Sequence, residues 1–172
     1  DWQQDVWDNY ERMLMHGVPQ RQRQNIYFGH AMNGNEYGAF YRDMDVSIAP
    51  LQMNNFNDSK SDIKLMECGR YGVPLVASDI GCYNETIIDG VTGFLIPEDN
   101  PRRVWVEKLT LLAKNPKLRR EMGENLRQQV NEKFDINKHV GERYHLYKQL
   151  MGFKKQAMEQ RTKENEQSNS NN

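Results

Sequence analysis

In the stretch NDSKSDIKLMECGRYGVPLVAS, residues 57–78, Lys60 and Lys64 bracket the start of a run with helical spacing. A helix N-terminus already carries bare N–H groups and positive dipole charge, so a cation there is disfavoured by roughly 0.3–1 kcal/mol. The same end is a ready site for an anion. Ser59 or Ser61 can cap it, and Ser59-x-x-Asp62 has the form of a capping box. At about 100° per residue, Leu65, Met66 and Gly69 share a face suited to packing on a sheet. Lys64, Glu67 and Tyr71 share roughly the opposite one. Lys64 and Glu67 are neighbours one turn apart. A phosphate suits the cation, and a vicinal diol suits a carboxylate that can accept two hydroxyl hydrogen bonds. Together they describe a site for a nucleoside diphosphate. The spacing also describes a surface ion pair worth a few tenths of a kcal/mol, the commoner use of such a pair.

The elements that must position these residues follow from periodicity and breakers. Val6, Trp7, Tyr10, Met13 and Leu14 predict a helix over 4–16, ended by Gly17 and Pro19. NIYFG (25–29) reads as a strand, 35–44 as a short helix, and DVSIAP (45–50) as a second strand. A polar loop over 51–60 leads into the helix of 62–71, which Gly72 and Pro74 break. PLVAS and GFLIP (93–97) are further strands, separated by helical turns in NETIIDG. Pro101 suits the first turn of a helix to about 114. NPKL opens another to about 133, and Asp135 caps a last one. Four short apolar strands alternating with helices imply an α/β fold with a parallel sheet covered on both faces. In such sheets ligands bind outside the carboxyl ends of the strands, where the 51–60 loop lies.

The chain of 172 residues is long enough for a real core over residues 1–150. Residues 151–172 form a polar tail, and from 154 on the composition predicts disorder or fraying helix. Net charge is −1, without the clustered excess base of a nucleic-acid surface. No apolar stretch is long enough for a transmembrane segment, and a cytoplasmic location is the default expectation. Cys68 and Cys82 lack metal spacing and read as buried small residues.

From Lys64 onward the motifs recur in a known order: Glu67 on the helix, Gly72 to Gly81, Asp89 to Pro97, Asn115-Pro116, Arg119 to Gly123, and Lys133-Phe134. This pattern resembles the C-terminal, donor-binding domain of GT-B glycosyltransferases, in the large retaining family that uses nucleotide sugars (glycosyl transferases group 1 type), over roughly residues 25–150. The resemblance implies a Rossmann-like parallel sheet with flanking helices and a helical C-terminus, one N-terminally incomplete half of a GT-B fold. It implies metal-independent transfer of a sugar from a nucleotide diphosphate sugar, UDP or GDP type, to an acceptor glycan or other acceptor bound by a missing N-terminal domain. Lys64 and Glu67 then form the catalytic pair, Glu67 holding the ribose hydroxyls. Ser59, Lys60, Ser61, Asp62 and Ile63 line the diphosphate site, and His30 borders the base. Glu85 matches a family glutamate near a helix start, read here as a helix N-terminal acid. Asp89-Gly90 and Thr92-Gly93 read as turn chemistry. Gly81 either permits close backbone approach or makes a turn.

Two departures stand out. The family's second glutamate, eight residues before Glu67, is Ser59 here, with Asn57 or Asp58 as nearby substitutes. The first strands and the acceptor domain are absent, which points to a piece of a longer chain or a natural remnant. A second subunit or domain is expected to cover the exposed sheet edge. The main rival is a non-catalytic nucleotide-binding or partner-docking module. A nucleotide-sugar epimerase, or a receiver-like fold using Asp79, are the others.

Overall fold

The computed structural model describes residues 2–29, 32–99 and 101–170. The chain forms two compact units, residues 1–38 and residues 39–172. In the first, α1 (Trp2–Leu14), α2 (Gln20–Arg23) and α3 (Gly34–Tyr37) follow one another. Arg23 donates to the carbonyls of Val18 and Met15, closing the turn between α1 and α2. Residues 25–29, expected as a strand, form none: Ile26 and Tyr27 are exposed. A three-residue apolar run has no periodicity of its own to enforce, and an extended segment becomes a strand only when a ladder satisfies its backbone.

The second unit opens with a 3-10 turn ending at Tyr41 and continues as β1 (Ser47–Ala49), α4 (Asn55–Asp58), α5 (Ile63–Tyr71), β2 (Leu75–Ser78), α6 (Gly81–Thr86), β3 (Gly93–Ile96), α7 (Pro101–Lys114), α8 (Pro116–Lys133) and α9 (Ile136–Ser170). The sheet has the order β1-β2-β3 and is wholly parallel. Ser47 pairs with Leu75 and Leu75 with Gly93. Central β2 is buried along its length, as a strand covered on both faces must be. Its alternate residues feed two cores. Leu75 and Ala77 pack with Leu65, Cys68, Leu126 and Val130 from α5 and α8. Val76 packs with Phe94, Ile96, Leu112 and Met122 toward α7.

Helix α5 is seated by α8 as much as by the sheet. Its buried residues are Leu65, Cys68 and Gly69, whereas Met66, expected to face the sheet, is only half-buried. Positions three and four residues on flank Leu65 on the helix surface, and the next residue lies well round the cylinder. Gly69 meets the Val130 side chain, and Gly72 ends the helix in the left-handed conformation with φ 68°. Helix α9 continues to Ser170. Every side chain from 141 to 161 is exposed, so that part of the helix rests on local propensity and not on packing.

Candidate functional site

The connections leaving the carboxyl ends of the strands converge. Ser78, at the end of β2, accepts from the Leu51 amide at 2.8 Å and donates to the Leu51 carbonyl at 2.9 Å, fastening the segment that leaves β1. The expected loop over 51–60 contains α4, capped by Asn54, whose side chain accepts from the Asn57 amide. Asn57 is buried and donates its own amide to the Gln52 carbonyl at 2.7 Å. Gly81 has φ 51°, and a Cβ there would lie 2.4 Å from the Asp58 carbonyl oxygen. Of the two roles expected for Gly81, the close backbone approach is present together with the turn. It brings α6 against α4 beside a cleft of about 620 Å³ lined by Asn54, Asp58, Asp79, Gly81, Asn84 and Glu98.

Helix α5 starts beside this cluster. Its N-cap is Asp62, with no side-chain capping bond. The capping box expected from Ser59 does not form: Ser59 is the C-cap of α4, and its hydroxyl donates to the Asn55 carbonyl at 2.9 Å. The cause is α4 itself, whose last turn takes the hydroxyl before α5 begins. The first acceptor of the α5 ladder is the Asp62 carbonyl, reached by Leu65 at 2.8 Å and Met66 at 3.2 Å. The amides of Ile63 and Lys64 thus precede the ladder, as the first amides of any helix do.

Ser61, Asp62, Ile63, Lys64 and Glu67 are therefore gathered at one helix end. Lys64 is half-buried, whereas Lys60 is exposed and stands 5.0 Å over the Phe56 ring. Among the described residues Lys64 and Glu67 make no ion pair. Glu67 instead accepts a 2.7 Å hydrogen bond from the Tyr41 hydroxyl. No local spacing could have shown that bond, because Tyr41 lies 26 residues upstream. His30 lies outside the described residues. Glu85 lies in the last turn of α6, not its first, because that helix starts at Gly81.

Burial governs the ionisation of the groups below the site. It pushes the Cys68 thiol up, opposed by the Ser47 contact and the Lys64 charge. The Cys82 thiol is raised by burial and then by the Asp62 carboxylate. Burial, followed by neighbouring thiols and carboxylates, takes the Tyr83 phenol up to about 12. Asp89 and Thr92 do turn work: Asp89 accepts from the Leu95 amide and Thr92 from the Ile88 amide, both at 2.9 Å, with Gly90 at φ 75°.

The family model for glycosyl transferases group 1 matches residues 20–129. The chain belongs to this glycosyltransferase family. It is 32% identical over 113 residues to the trehalose synthase of Pyrococcus horikoshii, a match that covers 66% of this chain and 25% of that protein. The chain thus spans about a quarter of the length of the curated relatives it matches. The sucrose-phosphate synthase of Thermosynechococcus elongatus superposes with a TM-score of 0.68 at 22% identity, covering 83% of this chain and 35% of that one. A TarM mutant of S. aureus, solved in complex with Fondaparinux, alpha-GlcNAc-glycerol and UDP, gives 0.64 at 20% identity over 83% of this chain and 27% of that one. These likenesses establish the fold as part of a GT-B glycosyltransferase. Among the described residues no helix is long and apolar enough to cross a membrane.

Proposed function

We propose that residues 1–150 are the donor-binding domain of a cytoplasmic glycosyltransferase, with the polar segment 151–172 outside it. The enzyme would pass a sugar from a nucleoside diphosphate to an acceptor held by a further domain, with retention at the anomeric carbon and without a metal. The observation that carries this reading is the start of α5 at the carboxyl end of the sheet, with Lys64 in its first turn and a tethered carboxylate, Glu67, one turn on. In this reading the diphosphate docks on the amides around Ser61, Asp62 and Ile63, with Lys64 and Lys60 adding charge. Glu67 accepts the ribose hydroxyls. As the glycosidic bond breaks, the sugar gains oxocarbenium character and negative charge collects on the leaving diphosphate. A helix N-terminus and a lysine already in place stabilise that charge without reorganisation. The UDP in the TarM complex supports a donor of UDP type, with GDP the alternative.

Ser59 favours a second reading, a remnant that binds nucleotide without catalysis. Its hydroxyl is held by α4, which leaves Asp58 as the acid nearest the position of the family's second glutamate. Calorimetric titration with UDP, GDP and ADP tests the donor site. Binding of one nucleotide, weakened about tenfold or more in Lys64→Ala and in Glu67→Ala, is the expected result. An absence of binding to all three sinks the donor-site reading. Nucleotide binding with no sugar transfer once an acceptor domain is supplied favours the remnant.

A further inference from the structure

Tyr41 is 1% exposed, among the most deeply buried side chains of the described residues. Its hydroxyl reaches Oε2 of Glu67 at 2.7 Å, at the half-buried edge of the core. Its ring lies flat on that of Tyr71, with centroids 5.8 Å apart and planes 10° apart. Tyr71 is one helical turn beyond Glu67 on α5, so the Tyr41 ring rests on the same face from which Glu67 projects. The phenol is clamped by its stack and its burial, and the flexible carboxylate is the member of the pair that must conform. This bond fixes which oxygen of Glu67 faces inward.

An ionised carboxylate offers about four lone-pair sites, and the Tyr41 hydroxyl takes one of them. The other oxygen keeps its capacity for two adjacent hydroxyl donors. We infer that Tyr41 is a positioning residue of the nucleotide site: by holding Oε2 of Glu67 it aims Oε1 at the vicinal hydroxyls of a ribose, and so sets a preference for ribonucleotides over deoxyribonucleotides. This inference rests on the reading of Glu67 as the ribose acceptor.

Tyr41→Phe tests it, because phenylalanine keeps the ring and the stack and removes one hydroxyl. UDP, GDP and ADP, and their deoxy counterparts each lacking one ribose hydroxyl, are titrated into the full chain and the variant. In the wild type the ribonucleotide should bind more tightly than its deoxy form. In Tyr41→Phe the ribonucleotide should weaken about tenfold, the cost of a hydrogen bond to a charged group, while the deoxy form changes little. The ratio between them therefore collapses. Equal weakening of both forms overturns the inference, because a generally loosened pocket does not distinguish them. An unchanged ratio overturns it as well, and so does a wild type that binds nucleotide without discrimination. In each of those outcomes the donor site itself survives, whereas a wild type that binds no nucleotide removes both. Should Tyr41→Phe fail to fold, Glu67→Gln probes the same geometry. An amide that accepts from Tyr41 through its oxygen turns its NH2 toward the ribose, so the same collapse is expected and a maintained ratio overturns the inference.

Discussion

Replacing Gly123 by alanine sets two opposing terms against each other at the seat of α5. Gly123 lies inside α8, where alanine is favoured over glycine by about 1 kcal/mol. A Cβ at this position would stand 1.9 Å from the Gly72 carbonyl oxygen and 2.7 Å from its carbon. Gly72 is the left-handed cap of α5, and its carbonyl shares a peptide plane with the Val73 amide, which is bonded to the Cys68 carbonyl at 3.0 Å, so that oxygen has no free rotation to escape through. The two helices must part by roughly 1.5 Å to reach ordinary contact. Overpacking costs about 1–3 kcal/mol, and a clash between two backbones falls at the upper end because no rotamer absorbs it. The clash outweighs propensity, and the net destabilisation should be about 2 kcal/mol, or roughly 4–8 °C in Tm. Thermal and urea unfolding followed by circular dichroism measure it. Gly141→Ala is the control: nothing lies within 4 Å of a Cβ there, so it should raise helix content without lowering Tm. Nucleotide affinity should fall in Gly123→Ala alone, since parting α5 from α8 moves Lys64 and Glu67. A Gly123→Ala protein as stable as wild type, or more so, would refute the reasoning, because it would mean the two backbones do not meet.

Tyr83 predicts an alkaline limit to stability. Its phenol, 5% exposed, is pushed up to about 12, above its ordinary value of 10.0 in the unfolded chain. The associated stability is fully present below pH 10 and is lost as pH rises toward about 12, an amount on the order of 2–3 kcal/mol. Urea titrations from neutral to strongly alkaline pH should show that loss in wild type and a shallower one in Tyr83→Phe. Arg119 donates to the carbonyls of Leu112 and Ala113 at the end of α7, at 2.6 and 3.0 Å, and to Asp45 at 3.0 Å. Arg119→Ala should cost about 1–3 kcal/mol by removing the charged donor from those carbonyls. Asp45→Asn should cost under about 1 kcal/mol, since the Asp45 side chain is 80% exposed. Equal costs for the two would show that the ion pair, not the helix cap, is the stabilising contact.

Read alone, the sequence determined what repeats locally. The order of helices and strands from α5 onward, the doubly buried β2, the break at Gly72 and the span of α7 are all carried by periodicity and by residues with restricted backbones. So is the placing of Lys64 and Glu67 one turn apart at a helix start, because a helix sets that distance whatever surrounds it. Tertiary structure alone decided which groups those side chains meet. The run at 25–29 forms no strand, because a strand exists only by pairing. Ser59 turns to Asn55 instead of capping α5, because α4 claims it first. Met66 yields the inner face to Cys68, because α8 fixes the rotation of α5. Glu67 is held by a tyrosine from another element, and Gly81 and Gly123 are needed where two backbones nearly touch. Those contacts join residues far apart in the chain. They depend on where elements cross, which the packing of the whole core sets and no window of sequence contains.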